Sequence, residues 1–187
     1  MQWRNSERRY GAISKGFHWG VGLLIVGMIA LGLYMEDMHG PDKLKTYAFH
    51  KATGLVILGL VILRINWKLS QQSPLLPASL SKPHVIGARL AHFALYLCIF
   101  LMPLSGWLMS SAAGFPVSIY GWFVMPDLIG PDKPTARFMH KAHGILADAL
   151  IILISLHVLA ALLHHFVYKN NVLRTMFPFV EPRKDRE

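Results

Sequence analysis

The fold is decided by residues 142–168, which read AHGILADALIILISLHVLAALLHHFVY. The stretch exceeds the roughly 20 apolar residues that an α-helix needs to cross a lipid bilayer. Its one formal charge is Asp148, and four of its residues are histidines. His143 and His157 lie 14 residues apart, which is about 40° short of four helical turns and about 21 Å along the axis. Both imidazoles therefore point to nearly the same face of a spanning helix, at different depths.

Three other stretches are similarly long and apolar. With the one quoted above, they predict four membrane spans, at residues 17–35, 47–67, 90–112 and 142–168. Segments rich in Pro, Gly, Ser or charge separate the spans and are predicted to be loops. We therefore predict an all-α integral membrane protein, a four-helix bundle that forms one domain over residues 1–187. The first apolar run lacks a small-residue cleavage site, so we predict a retained span rather than a signal peptide.

Composition excludes several other classes of protein. Hydrophobic residues make up 53% of the 187 positions and charged residues 16%, against about 25% charged in soluble domains. A single cysteine excludes a disulfide scaffold, a Cys-ligated iron–sulfur cluster and covalent c-type haem. Thirteen of the 19 basic residues fall on the side of the membrane that carries both termini. The positive-inside rule therefore places the termini in the cytoplasm, and the +9 charge reflects orientation rather than nucleic-acid binding.

Histidine inside a bilayer is costly and indicates function. His18 opens the first span on the side of the termini, level with His157. His50 opens the second span on the other side, level with His143. Two such pairs suit two non-covalent haems stacked across the membrane, each with imidazole on both axial positions. That ligation leaves no open iron site and is typical of an electron carrier.

Several polar residues keep alternative interpretations. His140 is a rival to His143, but its 17-residue separation from His157 leaves an offset of about 100°. His92 is interpreted first as the donor or acceptor of an interhelical hydrogen bond. Asp148 is placed to orient a ligand, contact a propionate, relay a proton or pair with a polar neighbour, and the sequence leaves these roles open.

Two further groups are candidate sites. His164 lies on the face of His157, about 10 Å nearer the cytoplasm, and with His165 it forms a candidate quinone site, the alternative being a polar helix end. His39 and His84 are expected in solvated loops. Four basic residues are candidate contacts for haem propionates or an anionic donor, although snorkelling to lipid headgroups is an equal alternative. They are Lys51, Lys141, Arg64 and Arg89.

Short motifs along almost the whole chain carry a family resemblance. They are Arg9-Tyr10-Gly11, Ile13-Ser14, His18-Trp19, His50-Lys51-Ala52-Thr53-Gly54, Leu90-Ala91-His92 with Tyr96, Pro103 to Gly106, His143 with His157, His164-His165-Phe166 and Leu173-Arg174 with Met176. In combination they resemble the bacterial cytochrome b561 family. His140 is a departure, because it adds a second histidine beside the ligand position at His143.

The resemblance implies a four-helix cytochrome of the bacterial inner membrane with two b-type haems, and it supports His18, His50, His143 and His157 as axial ligands. It also implies electron transfer from a periplasmic donor to ubiquinone, with superoxide the donor in some members, and hence a superoxide:quinone oxidoreductase. One alternative is a haem-bearing anchor of a partner dehydrogenase or hydrogenase, and another is a metal-ion transporter. Both a homodimer and a complex with a redox partner subunit are compatible with the sequence.

Overall fold

Five helices dominate the structure, a computed structural model that describes residues 2–7, 9–75, 81–177 and 180. They are α1 (Ala12–Glu36), α2 (Asp42–Leu69), α3 (Lys82–Ala112), α4 (Lys133–Phe166) and the short α5 (Val172–Met176). The first four are each long and apolar enough to cross a membrane. The predicted all-α, four-span fold class is therefore confirmed. Among the basic residues counted for orientation, Arg8, Arg183, Lys184 and Arg186 lie outside the described residues.

The long helices begin earlier than the predicted spans, because a helix can extend through polar residues beyond its apolar run. α3 and α4 each start about two turns before their apolar run, with a proline in the first turn. At α4 the side chain of Asp132 accepts a 2.9 Å hydrogen bond from the backbone N–H of Thr135. Hydrogen bonds from Thr135 also lower the pKa of the Asp132 carboxyl, which favours the charged form at the helix N-terminus.

A small hairpin in the α3–α4 connection was not predicted. Strand β1 (Ser118–Ile119) pairs antiparallel with β2 (Phe123–Val124). Tyr120 and Gly121 between them have φ of 50° and 82°, the left-handed values of a type I′ turn. A Tyr-Gly turn lacks the usual Asn-Gly signal, so the sequence predicted only a loop. Trp122 at the tip is 95% exposed.

Helix packing leaves α4 apart from the first two helices. α1 packs along α2, α2 along α3, and α3 along α4, whereas α4 is not a close neighbour of α1 or α2 in the described ranges. We call the end of the bundle with the N-terminal segment, the α2–α3 connection and α5 the terminal end. The opposite end, with the α1–α2 connection and the β1–β2 hairpin, is the hairpin end.

The buried core is small and central. It takes side chains from all four long helices, namely Val21, Ile25, Ile57, Val61, Ile99 and Leu150. A second cluster seats the hairpin connection on α2 through Val117, Leu55 and Leu58. Most other large apolar side chains on the four helices are exposed, among them Leu23 at 67% and Ile152 at 59%. Such extensive apolar exposure fits contact with lipid tails.

The N-terminal segment is fastened to the terminal end by one asparagine. The Asn5 side-chain oxygen accepts hydrogen bonds from the backbone N–H of Gly11 at 3.0 Å and the Ser14 hydroxyl at 2.7 Å. The Trp67 indole of α2 donates to the same hydroxyl at 3.0 Å. Gly11 is required by close approach, because a Cβ there would overlap the backbone of Trp3 and its neighbour.

We expect Gly11→Ala to displace the N-terminal segment and to lower the free energy of unfolding by about 1–3 kcal/mol, the usual cost of overpacking. Thermal unfolding in detergent, together with limited proteolysis of the segment, measures the effect. Gly16→Ala is the matched control, since a Cβ at Gly16 meets nothing within 4 Å. Equal melting temperatures for the two variants would contradict the packing described here.

Candidate functional site

Histidines from different helices meet in two pairs, one toward each end of the bundle. At the terminal end the rings of His18 on α1 and His157 on α4 have centroids 6.1 Å apart. At the hairpin end the rings of His50 on α2 and His143 on α4 have centroids 6.3 Å apart. All four side chains are half-buried. Each pair therefore bridges helices that do not pack closely against each other.

The ring separations fit axial ligands of one metal. A metal–imidazole bond is about 2 Å long and the ring centre lies about 1 Å beyond the nitrogen, so two imidazoles across one metal have centroids about 6 Å apart. Among the described residues, no group of three or more His, Cys, Asp or Glu is arranged to hold a bare metal ion. A pair of imidazoles suits a metal that brings its own equatorial ligands, as haem iron does.

His143 is the most firmly oriented of the four. Its Nδ1 lies 3.1 Å from the carbonyl oxygen of Met102 and 3.0 Å from the Ser105 hydroxyl. A carbonyl only accepts, so Nδ1 carries the proton and Nε2 keeps a free lone pair, the form that ligates a metal. A Cβ at Gly106 would lie 3.2 Å from Cε1 of the ring. Glycine therefore lets the imidazole approach the α3 backbone.

The partner imidazole at the hairpin end is held differently. His50 Nδ1 is buried and has no hydrogen-bond partner among the described residues. A Cβ at Gly32 of α1 would make ordinary contact with its ring, at 3.6 Å from Cε1. Packing, rather than hydrogen bonding, therefore orients His50.

The terminal-end pair lies beside positive charge. The Arg64 guanidinium is 3.1 Å from His18 Nδ1 and also lies over the Tyr96 ring, 5.2 Å from its centroid. Lys68 approaches the same ring to 4.3 Å, a favourable cation–π arrangement.

His92 of α3 also contacts this pair, its ring centroid 5.4 Å from that of His157. Sequence reasoning treated His92 as an ordinary polar residue of the third span. Its spacing of four residues from Tyr96, which places both on one face of α3, is the signal that indicates a shared environment.

The candidate quinone residues lie at the end of α4. His164 contacts the rings of Tyr168 and His84, with centroids 5.2 Å and 6.1 Å away. The expectation that His84 lies in a solvated loop was wrong in part, because it is exposed but belongs to the first turn of α3. α3 begins at Lys82, with Pro83 in its first turn, and so includes His84.

His165 lines a neighbouring concavity of about 380 Å³ with Phe166, Lys169, Asn170 and Arg174. Its Nδ1 is buried without a hydrogen-bond partner among the described residues. Two cations, Lys169 and Arg174, therefore share one concavity with the His165 ring.

The other predicted residues separate into buried and exposed groups. Lys51 is half-buried and donates a 2.9 Å hydrogen bond to the Ser110 hydroxyl. The remaining members of the sequence-based set are exposed and are not drawn into either histidine pair: His140, Lys141, Asp148 and Arg89.

Comparison with known proteins identifies the family of this chain. The sequence profile described as prokaryotic cytochrome b561 matches residues 9–179. The chain belongs to the prokaryotic cytochrome b561 family. Members of this family are membrane electron-transfer proteins, and membership implies b-type haem as the cofactor.

Individual members of the cytochrome b561 family align over nearly all of the chain. "Cytochrome b561 homolog 2" of Escherichia coli (strain K12) is 35% identical over 178 residues, covering 94% of this chain and 95% of the relative. "Probable superoxide oxidase CybB" of Yersinia pestis is 30% identical over 175 residues, covering 92% and 97%. "Cytochrome b561 homolog 1" of Escherichia coli (strain K12) is 26% identical over 165 residues, covering 86% and 92%.

We expect Gly106→Ala to weaken haem retention, because the new methyl forces the His143 ring away from α3. Overpacking of about 1–3 kcal/mol corresponds to at least about a fivefold loss of affinity. The measurement is the haem that remains on the protein after incubation with a haem-accepting protein. Gly87→Ala on the same helix meets nothing within 4 Å and should behave like the wild type. Unchanged retention in Gly106→Ala would show that the ring tolerates displacement.

Proposed function

We propose that this protein carries electrons across the bacterial inner membrane through two non-covalent b-type haems, from a periplasmic donor to ubiquinone. The observation that supports it is the presence of two histidine pairs toward opposite ends of one bundle. The ring centroids within the pairs are 6.1 Å and 6.3 Å apart. His18 and His157 are the proposed axial ligands at the terminal end, and His50 and His143 at the hairpin end. Haem held by these residues would supply one-electron redox chemistry.

The proposed direction of transfer follows from charge. The terminal end has the surplus of basic residues, so we assign it to the cytoplasm by the positive-inside rule and the hairpin end to the periplasm. Both termini are then cytoplasmic. A periplasmic donor meets the His50–His143 pair, and the quinone site lies beyond the His18–His157 pair.

Basic side chains near each pair have two proposed roles. Arg64 contacts His18 directly and is the proposed partner of a haem propionate at the terminal end, with exposed Arg89 as a second candidate. Lys51 and Lys141 are the corresponding candidates at the hairpin end. Their positive charge also raises the local concentration of an anionic donor such as superoxide.

The proposed quinone contact is the Nε2–H of His164. The Asn170 amide nitrogen lies 2.8 Å from His164 Nδ1, while its amide oxygen accepts from the Val172 N–H at 3.2 Å. The amide orientation is thereby fixed, so Asn170 donates to Nδ1 and the ring hydrogen sits on Nε2. His164 then offers a hydrogen-bond donor to a quinone carbonyl oxygen. His165, whose side chain lines the concavity, is the proposed second contact.

With superoxide as donor, the proposed reaction balances simply. Two superoxide anions each lose one electron and become dioxygen. One ubiquinone gains those two electrons and takes two protons from the cytoplasmic side, where imidazole is suited to proton uptake. The name of the Yersinia pestis relative, a probable superoxide oxidase, is the support for this choice of donor.

We expect the wild type to yield two haems per chain in a pyridine haemochrome assay. His157→Ala should lose the haem at the terminal end and His50→Ala the one at the hairpin end, leaving one haem each. His143→Ala should match His50→Ala, and His140→Ala, which removes an exposed imidazole, should keep both haems. Retention of two haems by His143→Ala would transfer the ligand role to His140. Absence of haem from the wild type would favour a metal-ion pathway.

We expect superoxide to reduce the haems rapidly and added ubiquinone to reoxidise them, as followed by absorbance in stopped-flow mixing. Asn170→Ala should slow reoxidation by roughly tenfold, the effect of about 1.4 kcal/mol, without changing reduction. Asn66→Ala removes an exposed asparagine of α2 and is the matched control. Failure of superoxide to reduce the wild type would eliminate superoxide as donor while leaving the cytochrome assignment intact.

A further inference from the structure

We propose that Ser105 is a positioning residue that fixes His143 as the axial ligand at the hairpin end and lowers the midpoint potential of the haem there. The proposal deepens the function given above and rests on the axial role of His143. Ser105 belongs to α3, and its side chain is 8% exposed. A hydroxyl buried at that depth needs partners within the protein.

The hydrogen-bond directions around Ser105 follow from the chemistry of its neighbours. Its hydroxyl donates to the Met102 carbonyl oxygen at 2.7 Å, so its lone pairs remain free to accept. His143 Nδ1 lies 3.0 Å from that hydroxyl and 3.1 Å from the same carbonyl oxygen. The single Nδ1–H is therefore shared by two acceptors, a three-centre arrangement.

The backbone beside Ser105 restricts the ring further. A Cβ at Gly106 would lie 3.2 Å from Cε1 and 3.4 Å from Nδ1 of His143. The ring therefore rests against α3 with its Nδ1 edge toward Ser105, and Nε2 keeps its lone pair. The rival His140, about one turn earlier on α4, is exposed. Orientation by Ser105 thus distinguishes between two histidines that are close in sequence.

The same contact has an electronic effect. Acceptors on the distal N–H of a metal-bound imidazole raise its basicity and strengthen its donation to the metal. Stronger donation favours ferric over ferrous iron and so lowers the midpoint potential. At the terminal end, His18 Nδ1 has no such acceptor among the described residues and faces the Arg64 guanidinium, which can only donate. Ligation through His18 Nε2 would place the ring hydrogen on Nδ1 and would require Arg64 to turn away from it. Removal of the Ser105 hydroxyl should therefore affect one haem and spare the other.

The test is a spectroscopic redox titration of the purified full-length protein with both haems bound. The His50→Ala variant, which lacks the haem at the hairpin end, identifies which of the two waves belongs to it. Ser105→Ala should raise the midpoint potential of that wave by about 30 mV. For a one-electron couple this is about a threefold change in the reduction equilibrium. The other wave should stay in place.

Two variants separate positioning from general damage to the helix. Ser105→Thr keeps the hydroxyl and should restore the wild-type potential. Ser111→Ala removes an even more deeply buried hydroxyl of α3, 1% exposed, which bonds Trp107 and Leu128 rather than a histidine. It should shift neither wave. Ser105→Ala could lose the haem at the hairpin end altogether. In that case, a Ser105→Thr variant that keeps this haem supports the proposal.

The remaining outcomes overturn it. Unchanged waves in Ser105→Ala, or equal shifts of both, with two haems still bound, refute the role of Ser105 while the proposed function stands. A wild type without two haems refutes the proposed function itself and this inference with it.

Discussion

The arrangement of the bundle depends on the register of imidazoles along α4. A helix in lipid satisfies its own backbone, so its rotation is set by the few side chains that lipid cannot accommodate. His143 and His157 are such side chains. Because they share one face of α4 at different depths, that face turns toward His50 on α2 and His18 on α1. The same two rings also contact α3, His143 at Ser105 and His157 at His92.

Each histidine pair joins helices that remain apart, which is unusual in a protein with such a small core. The central apolar cluster holds the four helices together near mid-membrane, whereas the histidine pairs lie toward its two ends. On the proposed function, haem would bind between α4 and the first two helices at each pair. Small residues at the edges, such as Gly32 and Gly106, let the rings approach neighbouring backbones.

The sequence was informative wherever one element determines the answer. Hydropathy located the four spans, because each helix must by itself be apolar enough to lie in lipid. The spacing of histidines along α4 also favoured His143 over His140, because it depends on one helix alone. The structure places His143 beside His50, whereas His140 is exposed. Helix ends were less predictable, since Asp132 and two prolines extend helices through polar residues.

Contacts between elements were beyond single-sequence reasoning. The approach of His92 to His157, of Arg64 to His18 and of His84 to His164 depends on the rotation of two helices at once. The turn at Tyr120 and Gly121 depends on how the connection packs over α2. Ser105 lies within the motif Pro103 to Gly106, but nothing in the sequence indicated that it contacts His143. Its importance is visible only from the two acceptors around one ring nitrogen.

The position of α4 in the chain has a consequence for biogenesis. α4 supplies one histidine to each pair, and it is the last of the four long helices to be synthesised. When α1 to α3 have entered the membrane, His18 and His50 are in place but neither has its partner. Both pairs are completed in a single late step, when α4 inserts beside α3. On the proposed function, a chain that ends before α4 would therefore retain neither haem, because each haem would lack one of its two ligands.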